Sequence, residues 1–147
     1  MVGVRPGGAT RWLETLGRVR PLIHLDTSFL INALRAGSSE DRLLRQWLES
    51  SEPLQASTIV WTEFLCGPLS DMETSLARDL LQEVIPLSAQ HAALAARLFD
   101  SSGRRRGSLA DCMIAAVAIQ SDAQLATSNP RDFVRLEPYG LILAGRL

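Results

Sequence analysis

The chain has 147 residues, 46% of them hydrophobic and 21% charged, with 15 Lys+Arg against 16 Asp+Glu for a net charge of −1. Those values fit one globular domain with a sizeable core and exclude both a disordered chain and a broad basic surface for nucleic acid. No stretch approaches the ~20 apolar residues of a membrane span, and no continuous apolar run follows the N-terminal arginines, so a soluble protein of the cytoplasm is expected.

Aromatic residues are 5% of the chain, so Leu, Ala, Ile and Val must build the core, a composition that favours helices. Residues 1–20 look like an appendage, broken at Gly7-Gly8, with one short helix over Ala9 to Arg18. The domain proper, residues 21–147, opens with Leu22-Ile23-His24-Leu25-Asp26, a run suited to a buried strand. Thr27-Ser28 then starts a helix that ends near Gly37. Ser38 or Ser39 caps a second helix, Glu40 to Ser50, with Leu43, Leu44, Trp47 and Leu48 on one side.

Leu54 to Ser57 reads as a strand and Ile59 to Cys66 as a helix stopped by Gly67-Pro68. An amphipathic helix over Ser70 to Glu83 and a short strand over Val84 to Leu87 follow. Ser88 caps a helix from Ala89 to about Ser101. The basic loop Gly103 to Gly107 leads into a helix from Ser108 to Ser121 that is apolar all round and therefore central. Gln124 to Thr127 is a fourth strand, Asn129-Pro130 opens a helical turn, and Tyr139 to Leu143 is a last strand. Cys66 and Cys112 lie within apolar helical segments and are expected as buried, reduced thiols. Alternating strands and helices imply one α/β domain: a central, mostly parallel sheet flanked by helices.

Such sheets bind ligands beyond the carboxyl ends of their strands, and acids stand at those places. Asp26 ends the first strand, either as a metal ligand or as a helix cap. Glu63 sits in a helix apolar on nearly every side; burial there would need a cation or other partner to offset its charge, unless Glu63 takes the one exposed stripe. Asp111 begins the central helix, either as a ligand or as the acid of a capping box with Ser108. Thr127-Ser128-Asn129-Pro130-Arg131-Asp132 adds hydroxyl and amide groups and a fourth acid, although Asn129 and Pro130 are also ordinary helix-start residues. Acids brought into one pocket repel, and a hard divalent cation, Mg²⁺ or Mn²⁺, relieves that repulsion and suits attack on a phosphodiester. Zinc is disfavoured because His24 and His91 stand alone.

The chain resembles the PIN-domain nucleases, and within them the VapC-type toxins of bacterial toxin–antitoxin pairs. The resemblance rests on Leu25-Asp26-Thr27-Ser28, on Thr62-Glu63 with Gly67, on Asp111-Cys112-Met113-Ile114-Ala115-Ala116, and on Leu125-Ala126-Thr127-Ser128-Asn129-Pro130-Arg131-Asp132-Phe133. It implies a PIN-like fold, Mg²⁺- or Mn²⁺-dependent cleavage of RNA, a homodimer, and a small antitoxin that holds the nuclease inactive. It also implies that Asp26, Glu63 and Asp111 are the metal-binding acids, and that Thr27 and Thr127 contact metal-bound water or a phosphate. Many relatives carry an acid where this chain has Asn129; Asp132 is the alternative fourth acid, and the substitution favours one tightly held metal over two. Arg104, Arg105 and Arg106 are candidates for RNA phosphates, or for a solvated or antitoxin-binding loop. Leu43, Trp47 and the helix over residues 70–83 offer an apolar dimer surface.

The main alternative is a catalytically weak PIN-like protein that holds RNA or a partner without cutting. A haloacid-dehalogenase-type phosphatase is disfavoured because Ser28 stands where its second Asp would be. A P-loop or dinucleotide fold is excluded because no glycine-rich loop follows the first strand.

Overall fold

The computed structural model describes residues 20–145, so the expected helix over Ala9 to Arg18 lies outside the described residues. The first strand, β1 (Ile23–Leu25), is followed by α1 (Thr27–Ala33) and α2 (Ser39–Glu49). Next come β2 (Leu54–Ser57), α3 (Thr58–Leu65), α4 (Asp71–Leu80) and β3 (Glu83–Ile85). The chain continues through α5 (Ala89–Ser101), α6 (Leu109–Gln120), β4 (Gln124–Ala126), α7 (Pro130–Phe133) and a 3-10 helix (Val134–Tyr139) to β5 (Ile142–Leu143).

The five strands form one sheet in the order β3-β2-β1-β4-β5, every neighbouring pair parallel. The central strands are short and buried along their whole length, as parallel strands covered on both faces must be. The chain steps outward from β1 to β3, then returns to the other side of β1 for β4. That reversal makes the boundary between β1 and β4 the switch point, where crossovers leave for opposite faces and open a crevice. Leu25 is in register with Ala126, and the Asp26 N–H donates to the Ala126 carbonyl over 2.9 Å. Asp26 and Thr127 therefore leave the sheet side by side.

Local chemistry sets the helix starts. Ser38 accepts from the Asp41 N–H at the start of α2, and Ser70 with Glu73 and Ser88 with His91 form reciprocal capping boxes on α4 and α5. The central helix is α6, with Cys112 and Ile114 to Ala118 all buried. Phe64 from α3 and Phe133 from α7 are the largest fully buried side chains. Truncating either to Ala would cost about 3–5 kcal/mol, the lost transfer energy plus a cavity.

The structure departs from the sequence expectations at several points of the fold. The helix over residues 70–83 ends at Leu80, because Leu81 turns extended and the Gln82 N–H joins the sheet at the Leu54 carbonyl, 2.8 Å. The strand expected from Tyr139 is a 3-10 turn up to that residue. Pro138 shapes the turn, and Gly140, with φ 107°, redirects the chain before β5. Cys66 is exposed at the end of α3, whereas Cys112 is buried as expected. Leu43 and Trp47 are half-buried and pack against the core, with the Trp47 and Phe29 rings 5.4 Å apart. The exposed apolar residues of α4 are Met72 and Leu76. Among the described residues, no helix is long and apolar enough to cross a membrane.

Candidate active site

Asp26 stands at the N-cap position of α1 but makes no side-chain cap, so its carboxylate is available to the crevice. It is buried, and one oxygen, Oδ2, accepts from Ser28 Oγ at 2.9 Å and from Thr127 Oγ1 at 2.8 Å. Burial pushes the Asp26 carboxyl above its ordinary range, the two hydroxyls and the Thr27 N–H pull it back, and Asp132 pushes it up again. The hydroxyls are themselves fixed: Ser28 Oγ lies 3.3 Å from Thr127 Oγ1 and accepts from the Ser128 N–H.

Asp111 lies in the first turn of α6. Ser108 does not cap that helix; its hydroxyl donates to the Arg105 carbonyl at 2.7 Å, and the expected capping box does not form. Burial pushes the Asp111 carboxyl up to about 6, helped by the charges of Asp26, Asp132 and Glu63 and opposed by Arg135. The charges of the other three acids named from the sequence thus all act in the same direction on Asp111. Asp132, in the first turn of α7, lines with Asp111 a cavity of about 210 Å³, together with Arg105, Arg106, Gly107 and Arg135.

Glu63 is exposed on α3, so the burial cost anticipated from its apolar neighbours does not arise. Thr27 Oγ1 donates to its Oε1 at 3.0 Å and ties it to the start of α1. Asn129 is exposed; its side chain does not cap α7, and its N–H donates to Thr127 Oγ1 at 3.0 Å. Of the three loop arginines, Arg105 and Arg106 line the cavity. Arg104 is paired with Asp100 and lies over the Phe99 ring, 5.1 Å from its centroid.

Three participants were not singled out from the sequence. Ser28 belongs to the first motif and to the helix start, but the sequence assigns it no role at the site; its hydroxyl donates to Asp26. Glu40 accepts from Ser128 Oγ at 2.9 Å and lines, with Thr127 and Arg131, an adjoining cavity of about 430 Å³. Arg135 follows Asp132 by three residues, a spacing that puts both on one side of a helical turn and could have flagged it.

All the donors in this group are hard oxygens, the chemistry that Mg²⁺ and Mn²⁺ favour, and the Asp26 and Asp111 carboxyls are raised first by burial and then by neighbouring acids, both of which a bound cation would offset. Among the described residues, no three His, Cys, Asp or Glu side chains stand close enough to form a finished metal cage. The acids suit the ion chemically and would have to draw together to hold it.

The structure is a buried parallel sheet with acids near the carboxyl ends of its strands, beside the switch point. The chain belongs to the PIN domain family, whose profile matches residues 23–137. It is similar in structure to the VapBC2 complex from Rickettsia felis bound to a DNA fragment from their promoter, with 23% identity and TM-score 0.67, covering 86% of this chain and 99% of that one. A toxin–antitoxin complex from Klebsiella pneumoniae shares 25% identity at TM-score 0.63, covering 85% and 99%. The sarcin-ricin loop cleaving toxin VapC20 of Mycobacterium tuberculosis shares 19% at TM-score 0.53, covering 71% and 86%. No curated protein matches the sequence.

Proposed function

We propose that the chain is a Mg²⁺- or Mn²⁺-dependent endoribonuclease of the cytoplasm and the toxin of a type II toxin–antitoxin pair. The observation that carries this reading is the electrostatic convergence of Asp26, Glu63, Asp111 and Asp132 at the switch point of a PIN-domain sheet. Asp26, Asp111 and Glu63 would hold the cation. When bound, that ion supplies charge neutralisation for the attacked phosphate and an acidified water.

The remaining work falls to the chain's own groups. Ser28 and Thr127 fix the Asp26 carboxylate through their hydroxyls, and Thr27 does the same for Glu63. Asp132, on the wall of the smaller cavity, is left to take the proton of the attacking water at its carboxylate. Arg105 and Arg106 face the same cavity and suit RNA phosphates. The similar toxin–antitoxin structures support a protein antitoxin as the partner of this chain, and family resemblance supports a homodimer.

Incubating the full chain with RNA in Mg²⁺, in Mn²⁺ and in EDTA tests the proposal, with Asp26→Asn and Asp111→Asn variants alongside. Cleavage that needs the metal and is lost in both variants is the expected result. RNA bound but never cut by the parent would instead support a non-cleaving PIN-like binder.

A further inference from the structure

We infer that Arg135 is the residue that grips a phosphodiester of the RNA beside the acids, through Nε and Nη2 of its guanidinium. The inference rests on the nuclease reading and assigns a residue to it that neither the motifs nor the basic loop would indicate.

Nε and Nη2 of Arg135 are buried and have no hydrogen-bond partner. Desolvating charged donors without an acceptor is costly, so a purely structural arginine is normally closed by a carboxylate or a carbonyl. Two carboxylates, Asp111 and Asp132, line the same 210 Å³ cavity, yet neither forms an ion pair with Arg135. The ion pairs among the described residues are Arg45–Asp41 and Arg104–Asp100.

An open pair of guanidinium donors calls for an anion with two oxygens in a plane, the shape of the non-bridging oxygens of a phosphodiester. Arg105 and Arg106 on the cavity wall raise the local positive charge for the same anion. Cation-binding acids and an anion-binding arginine then meet at one cavity. That division suits a substrate whose phosphate must be held while the adjacent carboxylates stay free of it.

The test uses the full chain carrying Asp26→Asn, expected to leave RNA intact on the nuclease reading, and a short fluorescein-labelled single-stranded RNA of mixed sequence. Anisotropy titrations in Mg²⁺ across a salt series compare Arg135→Gln and Arg135→Lys with this parent. Arg135→Gln should weaken binding about tenfold and reduce the slope of log K against log salt by about 0.7, one phosphate contact on a single strand. Arg135→Lys should keep the slope but lose several-fold in affinity, because a point charge cannot replace the fork. Unchanged affinity in both variants overturns the inference, and if Arg135→Gln does not fold, unchanged affinity in Arg135→Lys alone does so. Equal weakening of both variants at an unchanged salt slope would make Arg135 structural and also overturns it. A wild-type chain that cuts RNA while Arg135→Gln cuts it equally well removes only this assignment. A wild-type chain that neither binds nor cuts RNA removes the nuclease reading and this assignment with it.

Discussion

Thr127 donates its hydroxyl hydrogen to Asp26 over 2.8 Å, although 101 residues separate the two in the chain. The parallel pairing of β1 with β4 brings them together one step beyond the last register pair. Thr127→Val keeps the shape and removes the donor, leaving Ser28 as the remaining hydroxyl on Asp26. We expect a loss of about 1–3 kcal/mol, the cost of an acceptor left short of a partner, read as a lower urea midpoint. Metal-dependent cleavage should fall about 10- to 100-fold, the usual effect of removing a group that orients a metal ligand.

Asp111 carries the clearest pH signature. Its carboxyl is held at about 6 in the fold against 3.8 in the unfolded chain, so the native state binds that proton more tightly. Ionised Asp111 therefore opposes folding above about pH 6, and the opposition fades as pH falls from there toward the unfolded value. In EDTA, Asp111→Asn should melt above the parent near pH 7.5, with the gap narrowing near pH 5. Added Mn²⁺ should raise the melting temperature of the parent and not of the variant. Melting curves at the two pH values, with and without metal, check both statements.

His24 has the opposite sign. It is fully buried in β1, where Gln55 Nε2 donates to its Nδ1 at 2.9 Å; the tautomer then carries its proton on Nε2, which has no partner. Burial, with the His91 charge adding to it, lowers its pKa to about 3. The neutral ring stabilises the fold above the unfolded pKa of 6.5, and that contribution is lost as pH falls from there toward 3. Replacing both partners, as His24→Leu with Gln55→Leu, should leave neutral-pH stability close to the parent and extend the acid limit downward. Gln55→Leu alone should cost about 1–3 kcal/mol. Acid titrations followed by circular dichroism distinguish these outcomes. The Asp111 comparison is unaffected, because His24 is common to both of its proteins.

Gly107 sits between Arg106 and the start of α6 with φ 81°, and a Cβ there would meet nothing within 4 Å. The strain of Gly107→Ala is therefore conformational alone, about 1–2 kcal/mol for an L residue held left-handed. If the loop relaxes to relieve it, Arg105 and Arg106 move from the cavity. RNA affinity should then fall more than the modest loss of stability accounts for, which parallel binding and melting measurements would reveal.

Much of this arrangement was legible in the sequence, for physical reasons that can be named. Alternating apolar runs and capped helices mark the strands, and Asp26, Asp111 and Asp132 are conspicuous because each follows a strand or opens a helix. Glu63 takes the exposed stripe that the sequence left open as its alternative, because packing of the short α3 against α1 and α6 decides which side is covered. The strand order was beyond reach, since a parallel strand's neighbour depends on which way the crossover turns. Arg135 was overlooked because its meaning lies in donors without partners, a property of three-dimensional surroundings and not of spacing.

The insertion of β4 beside β1 has a consequence for how the protein is made. Asp26 leaves the ribosome well before the strand that leads to Thr127 and Asp132. A translation product halted before Gln124 holds Asp26 without the Thr127 hydroxyl and Asp111 without Asp132 on the shared cavity wall. An unfinished chain therefore lacks a complete set of acids, and whatever chemistry the site performs begins only once the whole domain has been synthesised and closed.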